Sequence, residues 1–266
     1  MKKNNIWMLV LSLLIFQSCF REIKDYSSES KPVNHAIYDS LLRKYVNSDG
    51  FVDYKGFIQD SVQFNSYLNL LSKNHPNDKN WSREERLAYW INAYNAFTIK
   101  LICNNYPVAS IKDVKKGIPF VSDTWTIDFI KIEGKMYSLN NIEHNIIRPK
   151  FKEPRIHFAV NCASRSCAPL RNEAFVADKL EAQLDDVAKK FINANNFRNK
   201  IVSSKKGELS KYFTWFAGDF KEKAPSVIAF INKYADVKLD ENAAIDYVEY
   251  DWTLNEQKAG EIAKEK

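Results

Sequence analysis

The sequence predicts an α+β fold, a single mixed domain in which helices surround a small antiparallel sheet. Apolar residues recur at helical spacing over long stretches, whereas period-two alternation is confined to short ones. Helical patterns also come both before and after the short strands, which is typical of α+β domains. A papain-like arrangement is the more specific expectation.

Composition fits one domain. The chain has 266 residues, of which 45% are hydrophobic and 14% aromatic, enough to form a sizeable core. Only 7 glycines and 8 prolines argue against a long flexible linker. The formal net charge of +6 is mild, and basic and acidic residues are interspersed, so no nucleic-acid partner is expected.

The N-terminal segment "MKKNNIWMLVLSLLIFQSC" has the form of a secretory signal. Lys2 and Lys3 precede an apolar run that is too short to span a bilayer, which takes about 20 residues. Cys19 at its end resembles a bacterial lipobox, although Phe16 and Gln17 depart from the commonest residues there. The resemblance implies a signal peptide over 1–18 and lipid on Cys19. An ordinary signal with an incidental cysteine is the alternative.

These segments define the expected organisation. The polar, Ser-rich stretch 19–34 is interpreted as a tether, 35–255 as the folded domain, and 256–266 as a charged tail. Lipid on Cys19 would hold the chain on a bacterial membrane, in the cell envelope, facing the periplasm or the exterior.

The first half of the domain is predicted to be helical. One helix is expected over Asn34–Val46 and a second over Lys55–Leu71, both from apolar spacing. The strongest helix begins at Ser82, where Glu85 follows three residues later as a capping box. Because this helix is apolar nearly all round, we expect it to lie inside the domain.

Shorter elements follow. Alternation over Trp125–Leu139 predicts a β-hairpin that turns at Glu133 and Gly134. Next come a short helix that starts at Asn140 and stops at Pro149, a strand over Arg155–Val160, and a helix over Val176–Ala194. The remaining segments, "ELSKYFTWFAGDF" and "AIDYVEYDWTLN", are rich in aromatic residues.

Two amides stand out in the buried helix. Asn92 and Asn95 lie three apart and so share one face. A buried amide without partners is destabilising by about 1–3 kcal/mol. We therefore expect Asn92 and Asn95 to bind the backbone of a neighbouring loop, and that loop is a candidate to carry the chemistry or a substrate.

The stretch "IHFAVNCASRSCAPL" concentrates reactive side chains. Cys162 and Cys167 follow His157, and Glu143 and His144 come shortly before; Cys103 is interpreted as a buried apolar residue, and His35 and His75 as incidental. Three interpretations stay open. The first interpretation is a zinc site: His157, Cys162 and Cys167 are acceptable ligands, but their spacing is not that of a common zinc finger.

The second interpretation is a Cys162–Cys167 disulfide, which an oxidising compartment permits. The third is a thiol nucleophile. Cys162 would then attack an ester or amide, with His144 or His157 as the base and Arg165 adding positive charge. Backbone N–H groups of "CASRS" would form the oxyanion site.

Several separated motifs resemble the family called domain of unknown function 547. They are "LAYWINAYNAFTIKLI", "SLNNIEHNIIR", "IHFAVNCASRSCAPL", "YFTWFAGDF" and "YDWTLN", in the family's order and spanning about Phe51–Asn255. Members occur in bacteria and in plants, where a leucine-zipper region is joined to the domain, and the resemblance implies no settled activity. It marks as motif positions Asn92, Asn95, Glu143, His144, His157, Cys162 and Cys167. Ala168 stands where Pro-Pro is frequent, which leaves the turn less rigid.

The expected function is that of an envelope lipoprotein with a cysteine-centred site, a thiol hydrolase or acyltransferase acting on peptide-like or envelope substrates. Cys162 is the favoured nucleophile and His144 the favoured base, with His157 as the alternative base. Glu143 or Asn92 would orient the base, while Asn95, Arg165 and Cys167 would bind. No cofactor and no metal are expected. The competing hypothesis is a non-enzymatic binding or scaffold lipoprotein whose Cys162 and Cys167 form a disulfide.

Overall fold

A long buried helix, α4 (Arg83–Asn105), lies at the centre of the molecule, which the computed structural model describes for residues 28–114 and 123–257. The predicted capping box is present, since Ser82 Oγ accepts from the N–H of Glu85 and the Glu85 carboxylate accepts from the N–H of Ser82. Side chains on all faces of α4 between Leu87 and Ile102 are buried, as an apolar surface all round predicts.

Three helices precede α4, of which the second and third pack against it and the first packs on those two. They are α1 (Ala36–Tyr45), α2 (Tyr54–Gln59) and α3 (Ser61–Ser72). The single helix predicted over Lys55–Leu71 is therefore wrong, because the helix is interrupted at Asp60. The Asp60 carboxylate there accepts hydrogen bonds from Tyr45 and Lys44 of α1, which ties the junction to its neighbour.

The predicted hairpin is present in a shorter form. Strands β1 (Ile130–Ile132) and β2 (Lys135–Tyr137) pair antiparallel around Glu133 and Gly134, whose φ angles of 44° and 81° are those that a tight hairpin turn requires.

The chain contains a second small sheet as well. Strands β3 (Lys200–Ser203), β4 (Lys206–Leu209) and β5 (Ala244–Tyr247) form it, and β4 pairs antiparallel with β3 but parallel with β5. The expectation of one antiparallel sheet is thus corrected to two sheets, one of them mixed. A long helical connection separates β4 from β5, and such a crossover is what a parallel pair needs.

The strand predicted over Arg155–Val160 is a 3-10 helix at Pro154–Phe158. Pro154 starts this turn, and the Glu153 side chain accepts from the N–H of Arg155 to cap it. Residues 156–160 are all buried, and a short apolar run that is covered on every side carries no period by which strand and helix can be distinguished.

The helix predicted to stop at Pro149 instead continues through it. A π-helix at Asn141–Ile147 leads into α5 (Arg148–Phe151), so that Pro149 occupies the first turn of α5, where its missing N–H is tolerated. Wide turns of this kind occur mostly as short insertions and frequently at functional sites.

The second half of the core is aromatic. The helices α6 (Leu180–Ile192), α7 (Tyr212–Trp215), α8 (Ala217–Lys221) and α9 (Val227–Tyr234) belong to this half. Its core contains five phenylalanine rings in mutual contact: Phe158, Phe191, Phe213, Phe220 and Phe230. Helix α6 corresponds to the one predicted over Val176–Ala194. Buried residues of both halves form one continuous core, so the α+β single domain is confirmed.

The predicted signal peptide (1–18), Cys19, most of the tether and nearly all of the charged tail lie outside the described residues. Within the ranges that the structure describes, none of the helices has the length and apolarity to cross a membrane.

Candidate active site

A cleft of about 530 Å³ brings four of the predicted site residues together. Glu143 and His144 reach it from the π-helix, His157 from the 3-10 helix, and Cys162 from the loop that follows. Much of the remaining lining is aromatic and consists of Trp125, Tyr212, Trp215, Phe216, Tyr250 and Trp252.

The loop that carries Cys162 is held by amide side chains. Asn95 on α4 donates to the carbonyl of Ala159 and accepts from the N–H of Asn161, at 2.9 and 2.8 Å. The Asn161 side chain then accepts from the N–H of Ala163 and donates to the carbonyl of Ala168. Ala163 adopts a left-handed conformation, with φ of 60°, a strained geometry for a residue with a Cβ. The backbone on both sides of Cys162 is therefore fixed.

Three side chains surround the sulfur of Cys162. Cys167 Sγ lies at 3.1 Å, Ser164 Oγ at 3.2 Å and Tyr250 Oη at 3.3 Å. The hydrogen bond from Cys167 contributes most and outweighs burial, and with those from Ser164 and Tyr250 it lowers the pKa of Cys162 to about 7. Cys162 thus presents a partly exposed thiolate to the cleft near neutral pH.

Cys167 lies beneath it and is buried. Its sulfur accepts from the backbone N–H of Cys162 at 3.0 Å and contacts the Tyr212 hydroxyl at 2.9 Å. Burial, together with the neighbouring Cys162, raises the pKa of Cys167 well above its usual value. The pair therefore combines one acidic, accessible thiol with one that stays protonated.

A carboxylate that was not among the predicted site residues orients His157. Asp219 on α8 accepts from His157 Nε2 at 2.7 Å and also receives a bidentate contact from Arg148. Although burial opposes ionisation, these hydrogen bonds hold the pKa of Asp219 below its usual range. Burial lowers the pKa of His157, so its ring is neutral at pH 7 and the lone pair is on Nδ1.

Glu143 is the neighbour that Nδ1 of His157 faces. Its carboxylate lies 3.9 Å from that nitrogen, is 8% exposed, and is hydrogen-bonded by the hydroxyl of the buried Tyr94. The His157 ring also stacks on Phe216 with 3.7 Å between the ring centroids, which keeps its orientation fixed. Glu143 and His157 are thus buried neighbours in the lining of the cleft, without a direct hydrogen bond between them.

His144 is oriented differently from the predicted base. Its Nδ1 lies 2.8 Å from Nη1 of Arg148. Because a guanidinium only donates, Nδ1 must accept, and the proton of the neutral ring is then on Nε2. In this state His144 donates a hydrogen bond rather than removing a proton, which argues against the predicted role as base.

The described residues show no direct thiol–imidazole contact. Over 28–114 and 123–257, the side chains bonded to Cys162 Sγ are those of Cys167, Ser164 and Tyr250, and neither His144 nor His157 is among them. The four predicted residues therefore share one cleft without forming a preassembled dyad.

Two other predicted residues, Asn92 and Arg165, do not line the cleft. Asn92 binds the backbone of Phe175, both as donor and as acceptor, so it holds a different segment from the one Asn95 holds. Arg165 does not line the cleft with Cys162, and the contribution of its charge to the thiolate stays a prediction. Its guanidinium packs on Phe51 and lies 3.7 Å from Asp251.

The predicted backbone oxyanion site is also not formed. Within "CASRS" the N–H groups of Cys162, Ala163, Arg165 and Ser166 have acceptors in Cys167, Asn161, Thr253 and Asp251. Ser164 N–H bonds to the Cys162 sulfur. Donors to a substrate oxygen must therefore come from side chains, of which His144 Nε2 is one.

The remaining expectations concern single side chains. His35 and His75, predicted to be incidental, are both packed: His35 is buried against Tyr67, and His75 bonds the hydroxyl of Tyr137. Cys103 is half-buried, and burial raises its pKa to about 12. No group of three or more His, Cys, Asp or Glu in the described part of the chain is arranged to hold a metal ion.

One signal in the sequence pointed to Asp219. It is the one acidic residue in "YFTWFAGDF", a segment that is otherwise aromatic or small, and an isolated charge in such a context needs a partner.

Comparison with known proteins gives a family and no activity. Residues 79–192 match the family model described as "Protein of unknown function, DUF547", a shorter span than the predicted Phe51–Asn255. No curated protein and no solved structure matches the chain, so a papain-like arrangement stays a prediction. Residues 79–192, the segment that contains Glu143, His144, His157 and both cysteines of the loop, are therefore assigned to the DUF547 family.

Proposed function

We propose that this chain is a thiol-dependent hydrolase or acyltransferase of the cell envelope, with Cys162 as its nucleophile. One observation supports the proposal above all. The partly exposed Cys162 sulfur, with a pKa lowered to about 7 by Cys167, Ser164 and Tyr250, opens into the same cleft as Glu143, His144 and His157. Such an acidic thiol beside titratable groups is typical of covalent catalysis.

The proposed reaction has two balanced steps. The Cys162 thiolate attacks the carbonyl carbon of an ester or amide, a carbon–sulfur bond forms, and the carbon–oxygen or carbon–nitrogen bond breaks. The proton of the Cys162 thiol passes to Nδ1 of the neutral His157, and Nδ1 then gives it to the leaving group. Water or an acceptor next attacks the thioester and gives its proton to Nδ1, which returns it to the released Cys162 sulfur. His144 Nε2–H donates to the carbonyl oxygen as negative charge develops on it.

Acylation of the thiol tests this proposal directly. The full chain is mixed with p-nitrophenyl acetate, and nitrophenolate release is followed together with intact mass and peptide mapping. We expect an acetyl group on Cys162 and its loss in Cys162→Ala, while Cys103→Ala keeps the wild-type rate. Equal acetylation and turnover in Cys162→Ala would overturn the proposal.

A second candidate, a binding or scaffold lipoprotein with a Cys162–Cys167 disulfide, is favoured by the short distance of 3.1 Å between the two sulfurs. Iodoacetamide labelling of the purified chain without reductant distinguishes the thiol enzyme from the disulfide-containing binding protein. Labelling of Cys162 supports the thiol enzyme, and labelling only after reduction supports the disulfide.

Envelope anchoring is proposed from the N-terminal segment alone. We expect the chain expressed in a bacterium to fractionate with membranes and to incorporate an alkynyl fatty acid. Cys19→Ala should remove the label and release the chain from the membrane fraction. Fatty-acid labelling that persists in Cys19→Ala would exclude this cysteine as the anchor.

A further inference from the structure

Three connected aromatic rings form one wall of the cleft. The ring centroids of Trp215 and Tyr250 lie 4.9 Å apart, and those of Tyr250 and Trp252 lie 4.5 Å apart. Trp125 continues the wall edge-on to Trp252 at 5.6 Å. Trp215 is 46% exposed and lines the cleft, so its ring offers a large apolar surface to a ligand there.

Polar side chains of three kinds border this wall. Asn140 lines the cleft, and its amide makes no cap bond to the helix it precedes. Lys112 Nζ lies 3.6 Å from the centroid of Trp252, and the carboxylate of Asp123 accepts one long bond from the N–H of Trp125. An amide, an ammonium and a carboxylate therefore border an aromatic surface in which the rings of Trp215 and Trp252 are nearly parallel, at an interplanar angle of 25°.

We propose that this wall binds the face of a pyranose ring, which makes an acylated or amide-bearing glycan the substrate class of the proposed thiol enzyme. This inference rests on the proposed function for its chemistry. A pyranose has one face of C–H groups, which packs on an indole, and a rim of hydroxyls, which needs mixed donors and acceptors.

The cleft is less suited to an extended peptide or to an apolar acyl chain than to a glycan. A peptide in extended form is recognised chiefly through backbone donors and acceptors. The loop N–H groups beside Cys162 are already bonded within the chain. A wholly apolar acyl chain would pack on Trp215 and Trp252 but would leave Lys112, Asp123 and Asn140 without a role.

Binding is measured by titration calorimetry on the full chain carrying Cys162→Ala, so that turnover does not interfere. The probes are triacetylchitotriose, maltotriose and, as an apolar comparison, decanoate. We expect a trisaccharide to bind. Trp215→Ala should then weaken the affinity by about tenfold, which corresponds to about 1.4 kcal/mol, because the stacking contact with the ring is lost. Trp215→Phe should give an intermediate value, which separates stacking from misfolding.

Phe197→Ala is the matched control, because Phe197 is 47% exposed and lies outside the cleft; its affinity should equal that of the parent. Binding of decanoate alone, or no binding of either trisaccharide, would overturn the glycan assignment. These results are independent of the acylation assay: saccharide binding without Cys162 acylation would leave a glycan-binding protein, and acylation without saccharide binding would leave a thiol enzyme of another substrate class.

Discussion

The sulfur of Cys162 derives its acidity from neighbours that only the folded chain provides. Cys167 is near in sequence, but Tyr250 is 88 residues away and reaches the sulfur from the C-terminal segment. A hydrogen bond to a charged group contributes about 1.5–3 kcal/mol, which corresponds to one pKa unit or more. Each donor is therefore a separate, measurable contribution to the reactivity of the thiol.

Tyr250→Phe removes one of these donors and should raise the pKa of Cys162 by about one unit. The measurement is the iodoacetamide rate as a function of pH. In the wild type it should rise to half its maximum near pH 7, because the thiolate is the reacting form and the pKa is about 7.

Cys103 serves as the internal control in this experiment. Burial raises its pKa to about 12, so it should stay unlabelled throughout the range. An unchanged profile for Tyr250→Phe would show that the tyrosine does not contact the thiolate in solution.

His35 links stability to pH. It is buried with Nδ1 at 2.8 Å from the Tyr67 hydroxyl, and burial lowers its pKa to about 4. Between pH 6.5 and 4 the unfolded chain therefore binds a proton at His35 that the folded chain does not, and stability falls as the pH falls. Urea unfolding at pH 7 and 4.5 should show a loss of about 2 kcal/mol from this group.

His35→Leu isolates that contribution. The variant keeps an apolar side chain of similar size and has no proton to bind at this position. Its free energy of unfolding should decline less steeply over the same interval than that of the wild type. Parallel slopes for the two proteins would contradict the assignment to His35.

At the scale of elements, helix α4 acts as the support on which the site is built. Asn95 and Asn92 leave the same face of α4 and bind different segments, the loop before Cys162 and the backbone of Phe175. The two amides are equally buried and make the same two kinds of hydrogen bond. They are therefore a natural pair for comparison.

Asn95→Ala should destabilise the fold by about 2–4 kcal/mol, since it leaves a buried carbonyl and a buried N–H without partners. It should also change the alkylation rate of Cys162, because the N–H of Asn161 is anchored by this amide. Asn92→Ala should be similarly destabilising in urea but leave the alkylation rate unchanged. Equal alkylation rates in the two variants would show that Asn95 supports the fold alone.

Helices could be predicted where the sequence has a capping residue and a long apolar pattern, and not where these local signals are missing. Helix α4 carries its own cap at Ser82 and a long apolar pattern, so its position could be predicted. The 3-10 helix at Pro154–Phe158 is buried on every side, and burial of that kind removes the alternation that separates strand from helix. The prediction that the helix stops at Pro149 was wrong for another reason. The preceding π-helix places Pro149 in the first turn of α5, where proline is tolerated.

The residues of the site could be predicted where they lie close together in the sequence, but their distant partners could not. Glu143, His144, His157 and Cys162 could be recognised because they cluster in the sequence, and the structure places them in one cleft. Asp219 could not be assigned to His157, because a contact across 62 residues depends on the packing of α8. The occupied N–H groups of the cysteine loop have the same origin, since their acceptors include Asp251 and Thr253 of the distant C-terminal segment.

At the scale of the molecule, the C-terminal segment closes the fold around the cysteine loop. Asn255 accepts from the Tyr54 hydroxyl at 2.6 Å, across 201 residues, and donates to Asn161 from its side chain. Its backbone accepts from the N–H of Val52 and donates to the carbonyl of Ala163. One residue thus joins the N-terminal part, the loop and the last described segment.

Asn255→Ala should lower the free energy of unfolding by about 2–4 kcal/mol, because the Tyr54 hydroxyl and the Asn161 amide oxygen lose a buried partner. Urea titration measures it. Asn105→Ala provides the control, since the exposed Asn105 side chain bonds only within its own helix; its change should stay within about 0.5 kcal/mol. Comparable losses in the two variants would show that Asn255 does not tie these segments together.

The wall formed by Trp215, Tyr250 and Trp252 lies beyond residue 192, whereas Glu143, His144, His157 and Cys162 lie before it. Tyr250 belongs to both, because its hydroxyl lies 3.3 Å from the Cys162 sulfur. Under the proposed function, a change at Trp215 or Trp252 would alter the choice of substrate, whereas a change at Tyr250 would alter the thiol as well.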